Sequence, residues 1–123
     1  MKYLCLIYDE ERTFAAMPKT QIDALMKEYR AFSDGIRQSG HYIAGHQLAP
    51  VRSASTVRVR NGKMSATDGP FAETKEQLGG YFLIEAADLN EALQIASRIP
   101  SARIGSIEVR PLHESHQQQA APA

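Results

Sequence analysis

Residues 2–8, KYLCLIY, form a short run in which alternate side chains are apolar on both faces of an extended chain. A strand with two apolar faces is typical of the middle of a sheet that is covered on both sides. Residues 78–87, LGGYFLIEAA, repeat this pattern much later in the sequence. The sequence therefore predicts two central strands, and the remaining elements can be arranged around them.

A helix is predicted after the first central strand. Apolar side chains recur every three or four residues from Ile22 to Ile36, Pro18 precedes them, and Gly40 is a plausible stop. The polar residues between the strand and this helix, 9–13, are expected to form a loop.

A second helix is predicted after the second central strand. Asp88 is a good N-cap, and Glu91 follows it at the spacing of a capping box. The apolar side of this helix is expected to consist of Leu89, Ala92, Leu93 and Ala96.

Three further strands complete the pattern. Residues 104–112 alternate like an edge strand, and so do residues 41–48, where Tyr42, Ala44 and His46 are expected to share a face. Residues 56–67 form a hairpin, because Asn61-Gly62 is the preferred pair for a two-residue type I′ turn. That turn pairs Val59 with Met64 and Val57 with Ala66, and leaves Arg58, Arg60 and Lys63 on the other face.

Without the hairpin, the order of elements is βαββαβ, the ferredoxin-like arrangement of an α+β protein. In that arrangement the first and third core strands are central, which matches the two strands with apolar faces. Helices cover one face of such a sheet, so the second apolar face needs another cover. We expect a homodimer in which two sheets pack face to face, as in a dimeric α/β barrel.

Composition limits the class of protein. The chain has 123 residues, enough for a single domain, which we place at residues 1–114, with a polar, flexible tail at 115–123. Fourteen basic and fourteen acidic residues cancel, so no nucleic acid or membrane partner is expected. The single cysteine, Cys5, excludes an internal disulfide and favours the cytoplasm; its place in an apolar strand indicates a core residue.

Residues 68–81, DGPFAETKEQLGGY, contain more polar groups than a turn needs. Asp68, Gly69 and Pro70 are turn formers, and Phe71 is expected to anchor the loop on apolar surface. Turning the corner requires none of Glu73, Lys75 and Glu76. The pair Gly79-Gly80 predicts a bulge or a close approach by another backbone or a ligand.

The sequence resembles the YCII-related superfamily and, within it, the DGPF-domain branch. The resemblance is carried by MKYLCLIY, TVRVRNGK, TDGPFAETKEQLGGYFLIE, DLNEAL, ARIP and IEVRPL, and covers residues 1 to about 112. It implies a dimeric ferredoxin-like fold without an established reaction, and some relatives accompany sigma factors. It also implies a His–Asp pair in a cleft. Asp68 is the natural counterpart of the aspartate, but neither His41 nor His46 lies in a matching motif.

Two functions remain open. In the first, the protein binds a small polar ligand at the DGPF loop and uses Asp68 and His46 for acid–base or hydrolytic chemistry. The other residues expected to contact the ligand are Tyr8, Pro70, Phe71, Glu73, Lys75, Gly79 and Gly80. In the second, the loop is architectural, and the protein is a non-catalytic module that meets a protein partner, in a setting linked to sigma-factor-dependent transcription.

No cofactor or metal is expected. The four histidines share no ligand spacing, there is no second cysteine, and the glycine pair lacks the patterns of a phosphate-binding loop. There is also no nucleophile elbow.

Overall fold

The two strands with apolar faces lie side by side at the centre of a four-stranded antiparallel sheet. The computed structural model describes residues 1–113, and its sheet has the order β2-β5-β1-β6. The strands are β1 (Lys2–Asp9), β2 (Tyr42–Gln47), β3 (Ser55–Arg60), β4 (Lys63–Asp68), β5 (Gln77–Glu85) and β6 (Ser106–Pro111). The helices are α1 (Glu11–Ala15), α2 (Lys19–Gln38) and α3 (Leu89–Ser97). This is the predicted ferredoxin-like βαββαβ fold with β3 and β4 inserted as a separate hairpin. The predicted tail, 115–123, lies outside the described residues.

The helices cover one face of the sheet. On β1 the side chains of Tyr3, Cys5 and Ile7 are buried on that face, and Phe82 and Ile84 of β5 lie beside them. The helices contribute Phe32, Ile36, Ala92 and Ile95 to the same core. Each large apolar side chain buried here contributes about 1.5–3 kcal/mol. Burial also raises the pKa of the Cys5 thiol to about 11, so this cysteine belongs to the core.

The ends of the helices follow the sequence signals. α2 begins directly after Pro18, and Gly40 takes a φ of 81° just beyond its end. At α3 the Asp88 carboxylate accepts a hydrogen bond from the Glu91 backbone N–H, and the Glu91 carboxylate accepts one from the Ala87 N–H. These bonds satisfy amide groups that a helix start leaves without partners.

The apolar side of α3 differs from the expectation. Leu89 and Leu93 are each 49% exposed, whereas Ala92, Ile95 and Ala96 are buried. The helix is rotated so that the larger Ile95 fills the core, and spacing alone did not identify which apolar residues face the sheet.

The hairpin has the predicted turn and register. Asn61 and Gly62 take φ values of 53° and 73°, as a type I′ turn requires, and Val59 pairs with Met64 across the strands. The hairpin makes no extensive contact with the other strands and helices of residues 1–113, and its apolar face is exposed.

Three local expectations were wrong. The polar segment after β1 is no simple loop, because β1 continues through Asp9 and α1 starts at Glu11. Tyr42 does not share a face with Ala44, because an irregularity in the pairing of β2 places Tyr42 opposite Ile84. The centroid of the Tyr42 ring lies 6.5 Å from that of Phe82.

Phe71, the third case, does not anchor its loop on apolar surface within this chain, because it is 80% exposed. Its only ring contact in residues 1–113 is with the Arg58 guanidinium, 5.8 Å from the ring centroid. An exposed phenylalanine of this kind is available to another molecule.

Candidate functional site

Asp9 is a buried carboxyl group at the end of a central strand. It follows Tyr3, Cys5 and Ile7 at the spacing of two that keeps side chains on one face, so it lies on the helix-covered side of the sheet. Its exposed fraction is 9%. A carboxyl group at a position of this kind requires a physical explanation, because acidic side chains are almost never fully buried unless they are paired.

Glycines lie beside Asp9 on two sides, Gly79 in β5 and Gly105 directly before β6. Ile7 pairs with Gly80 and Tyr8 with Leu78, so Gly79 is the extra residue of a bulge in β5. A Cβ atom on Gly79 would lie 3.3 Å from Asp9 Oδ1. One on Gly105 would lie 2.2 Å from the Tyr8 carbonyl oxygen and 3.1 Å from Asp9 Cβ. The side chain of Asp9 therefore occupies space that only glycine leaves open.

The pKa of Asp9 is raised from 3.8 to about 6. Burial is the largest cause, and the negative charges of Glu11 and Glu76 add to it. Both neighbours are held in place: the Glu11 carboxylate accepts a hydrogen bond from the Val51 N–H at 2.8 Å, and the Glu76 carboxylate accepts one from the Ser106 hydroxyl at 2.8 Å. The three carboxyl groups thus come from two segments of the chain, the connection from β1 to α1 and the residue before β5.

Tyr29 of α2 places a phenol in the surroundings of Asp9. Its hydroxyl group is hydrogen-bonded to the Ser101 hydroxyl, and its ring stacks on Phe82. Burial raises the pKa of Tyr29; the hydrogen bond to Ser101 lowers it in part, and the charge of Asp9 raises it. The phenol therefore stays protonated at neutral pH and can donate a hydrogen bond.

A carboxyl group with a pKa of about 6 is present in both protonation states near neutral pH. That is the property a general acid or base requires, because proton transfer is most efficient when the pKa of the group lies near the working pH. The arrangement can accept a proton at Asp9 and donate a hydrogen bond from Tyr29. Within residues 1–113, no group of three His, Cys, Asp or Glu side chains is placed to hold a metal ion.

The residues predicted from the DGPF motif lie in a different environment. Asp68 is the last residue of β4, opposite Ser55, and is exposed, as are Phe71, Glu73 and Lys75; Pro70 is half-buried. Their role in binding a ligand stays a prediction. The structure brings the end of this segment to Asp9: Glu76 lies beside the carboxyl group, and Gly79 leaves room for it.

Gly80 has an architectural reason for lacking a side chain. A Cβ atom there would lie 2.8 Å from the His46 carbonyl oxygen, because β2 passes close to β5 at this point. The predicted bulge and the predicted close approach of another backbone at Gly79-Gly80 are therefore both confirmed.

His46 and Tyr8 lie on the other face of the sheet. His46 Nδ1 is 2.8 Å from the Tyr81 hydroxyl oxygen, and this pair is exposed. Tyr8 is half-buried on the same face. No hydrogen bond or ion pair joins His46 to Asp68 in the part of the chain that the structure describes, so a His–Asp pair between them stays a prediction.

The sequence contained a signal for Asp9 that was missed. Counting in steps of two from Tyr3 places Asp9 on the buried face of β1, but the polar character of residues 9–13 favoured a loop. The pKa of Asp9 had no such signal, because burial and the charge of Glu76 act on this carboxyl group only in the folded chain.

Comparison with known proteins agrees with this fold. The family model for the YCII-related domain matches residues 1–116. An uncharacterized protein of Rhizobium meliloti (strain 1021) is 39% identical over 114 residues, which cover 91% of this chain and 92% of that protein. A similar solved structure is 5-chloro-2-hydroxyhydroquinone dehydrochlorinase from Burkholderia phenoliruptrix AC1100 in complex with 2,5-dihydroxybenzoquinone. It has a TM-score of 0.54 and 14% identity, with 94% of this chain and 96% of that chain covered, and at this identity the likeness shows the fold alone.

Proposed function

This chain belongs to the YCII-related family, and from the site around Asp9 we propose that it binds a small polar ligand and transfers a proton on it. The observation that carries the proposal is the buried carboxyl group with a pKa of about 6. The ligand would lie where the end of the DGPF loop, residues 68–76, meets the end of β1. Glu76 links the two because it belongs to the loop and contributes to the pKa of Asp9.

The proposed chemistry needs only groups of this chain. In its ionised form, Asp9 accepts a proton from an acidic O–H or C–H group of the ligand and becomes a neutral carboxylic acid. The Tyr29 phenol donates a hydrogen bond to the oxygen on which negative charge develops. Return of the proton from Asp9 to another atom of the ligand, or to a leaving group, completes an isomerisation or an elimination.

The solved structure of similar fold supports the size and polarity of such a ligand. It is described as a dehydrochlorinase that holds 2,5-dihydroxybenzoquinone, a small ring carrying several oxygen atoms. Compounds of this class have hydroxyl groups that a carboxylate with a pKa of about 6 can deprotonate. The predicted ligand contacts of Asp68, Phe71, Glu73 and Lys75 would then belong to the outer part of the same site.

A ligand screen tests this proposal. Small hydroxylated and oxo-substituted ring compounds are added to the wild-type protein, to Asp9→Asn and to the exposed-loop variant Asp68→Asn, and the melting temperature is measured. A ligand at one hundred times its Kd stabilises the fold by about 2.7 kcal/mol. We expect a compound that raises the melting temperature and that the wild type converts to a product. The pH dependence of its rate of conversion should show a group with a pKa of about 6, and the conversion should stop in Asp9→Asn. A converted compound whose turnover is unchanged in Asp9→Asn would contradict the proposal.

We also propose that the protein is a homodimer. Two apolar surfaces of the chain lack a cover within residues 1–113. One is the sheet face opposite the helices, where Leu4, Leu6 and Leu83 are half-buried. The other is the apolar face of the hairpin, where Val57, Val59 and Met64 are 59%, 59% and 69% exposed. A two-stranded hairpin is marginally stable by itself in water, so this one requires a surface to pack on.

The areas favour a second copy of the chain as that surface. The three exposed apolar residues of the hairpin face cannot by themselves supply the ~800 Å² per partner of a standard interface. We therefore propose that the open sheet face, with Leu4, Leu6 and Leu83, belongs to the same interface. A single twofold contact covers both surfaces at once.

Adjacent residues of β4 provide a matched test of the dimer. Met64→Lys adds a charge to the apolar hairpin face, and Ser65→Lys adds the same charge to the opposite face one residue away. Molar mass by light scattering should show a dimer for the wild type and Ser65→Lys, and a shift toward monomer for Met64→Lys. A dimer of unchanged stability in Met64→Lys would remove the hairpin from the interface.

The exposed hairpin face also supports the second function, a non-catalytic module with a protein partner. Under this alternative the partner, in a setting linked to sigma-factor-dependent transcription, covers Met64 and its neighbours. The protein would then be monomeric in isolation, and a ligand would have no effect on its melting temperature. For either function we propose a cytoplasmic setting, in keeping with the single buried thiol of Cys5. No helix of residues 1–113 has the length and apolar character to span a bilayer.

A further inference from the structure

A serine, a histidine and a glutamate form a second cluster on the helix-covered side of the molecule. Ser39 Oγ lies 2.6 Å from His41 Nδ1, and His41 Nε2 lies 3.3 Å from Glu91 Oε1. The three residues come from the end of α2, the residue before β2 and the first turn of α3. Nothing in the chemistry proposed for Asp9 uses them.

The backbone fixes all three residues. Ser39 caps α2, and its N–H donates to the Gly35 carbonyl oxygen at 3.1 Å. The His41 N–H donates to the Ile36 carbonyl oxygen at 2.8 Å. The Glu91 carboxylate accepts a hydrogen bond from the Ala87 N–H at 2.8 Å, which orients it toward the imidazole.

The glutamate determines which nitrogen of His41 can act as a base. A carboxylate near Nε2 favours the tautomer with its proton on Nε2, and Nδ1 then carries the free lone pair. The Ser39 hydroxyl is close enough to Nδ1 to donate its proton there. The competing acceptor of this hydroxyl, the Ile36 carbonyl oxygen, is farther away at 3.2 Å. Ser39, His41 and Glu91 therefore lie in the spatial order of a nucleophile, a base and a carboxylate that orients the base.

A cavity adjoins this cluster. It has a volume of about 530 Å³ and is lined by His41 and Glu91 but not by Ser39, so an ester bound in it meets the serine hydroxyl only where it extends past the imidazole. This volume is in the range of small-molecule sites. Arg98 and Asn90 line the same cavity and supply a cation and an amide donor. Such groups can stabilise negative charge that develops on a carbonyl oxygen.

From this geometry we propose that Ser39 is a nucleophile that is acylated by small esters bound in the cavity beside His41 and Glu91. The Ser39 Oγ forms a bond to the carbonyl carbon of the ester, and its proton passes to His41 Nδ1. The carbon–oxygen bond to the alcohol breaks, and the alcohol leaves with the proton from His41. A water molecule, deprotonated by His41, then releases the acid and restores the Ser39 hydroxyl.

The first experiment labels the full chain with a fluorophosphonate and locates the adduct by mass spectrometry of its peptides. Ser53 is a matched reference, because its hydroxyl also donates to a carbonyl oxygen three residues back, that of Pro50, and is exposed. In residues 1–113 no histidine accompanies Ser53. General-base assistance contributes roughly 10²–10⁴-fold, so Ser39 should react at least about 100-fold faster than Ser53.

Variants test whether Ser39 acts as a nucleophile or only caps α2. In Ser39→Ala, and in His41→Gln with the serine retained, both labelling at position 39 and hydrolysis of p-nitrophenyl acetate should fall at least about 100-fold. Ser53→Ala should keep both, and because the chemistry proposed for Asp9 uses none of Ser39, His41 and Glu91, this outcome is independent of that function. Equal labelling of Ser39 and Ser53 in the wild type would overturn the proposal and leave Ser39 as a cap. Hydrolysis that persists in Ser39→Ala would overturn it as well, since the imidazole would then act alone.

Discussion

Replacing Asp9 by asparagine should stabilise the folded protein at neutral pH. The pKa of this carboxyl group rises from 3.8 to about 6 on folding, so the folded state holds its proton more tightly than the unfolded state. Below about pH 3 both states are protonated, and the group contributes nothing. As the pH rises from about 4 to about 6 the unfolded state loses its proton first, and the free energy of unfolding decreases.

The size of this effect follows from the two pKa values. Each pKa difference of 1 corresponds to about 1.4 kcal/mol, so the ionised group would cost at most about 3 kcal/mol above pH 6. The residue keeps an exposed fraction of 9%, through which solvent screens the charge in part, and the cost is therefore between about 1 and 3 kcal/mol. Asn has the same shape and no charge, so Asp9→Asn removes this cost.

Urea denaturation between pH 3.5 and 8 measures the effect. The wild type should lose stability between pH 4 and 6 relative to Asp9→Asn and then run parallel to it. At pH 7.5 the melting temperature of the variant should be higher by roughly 4–12 °C, at about 4 °C per kcal/mol. Asp68→Asn, which removes an exposed carboxylate, should follow the wild-type profile within about 0.5 kcal/mol. An Asp9→Asn variant that is less stable than the wild type at pH 7.5 would refute the reasoning.

The remaining predictions concern two residues near Asp9 and one glycine of α2. Glu76→Gln should lower the pKa of Asp9, because it removes a like charge and keeps an oxygen for the Ser106 hydroxyl; carboxyl titration by NMR measures the change. Gly105→Ala should destabilise the fold by about 3 kcal/mol or more in urea denaturation, since its Cβ would meet the Tyr8 carbonyl oxygen. Gly35→Ala, in α2 with no atom within 4 Å of the new Cβ, should instead stabilise it by about 0.5–1 kcal/mol.

Features with a local cause could be predicted from the sequence. The turn at Asn61-Gly62 depends on the positive φ values that these two residues accept, and its register follows from the turn. The central positions of β1 and β5 could be predicted because both of their faces are apolar. The order of the strands then followed from the order of the elements along the chain.

Features that depend on distant contacts were missed. The pairing irregularity in β2, which turns Tyr42 toward Phe82, depends on how that strand meets β5 and leaves no pattern in residues 41–48. The rotation of α3 depends on the room that the sheet offers to Ile95. For the same reason, the sequence pointed to Asp68 as a candidate site residue and not to Asp9. Asp68 stands in a recognisable motif, whereas the pKa of Asp9 depends on a glutamate that lies 67 positions away in the sequence and is brought near by folding.

The position of Asp9 is itself an argument for function. The other side chains of β1 on this face, Tyr3, Cys5 and Ile7, are buried in the core, and an apolar residue at position 9 would continue that pattern without an electrostatic cost. The chain instead places a carboxyl group there, with two further carboxylates near it and with glycines where a side chain would collide. Local rules of stability are broken in this way mainly at sites that bind or react. The cost at Asp9 therefore supports the proposed proton transfer near neutral pH, because the ionised carboxyl group lowers the stability of the fold.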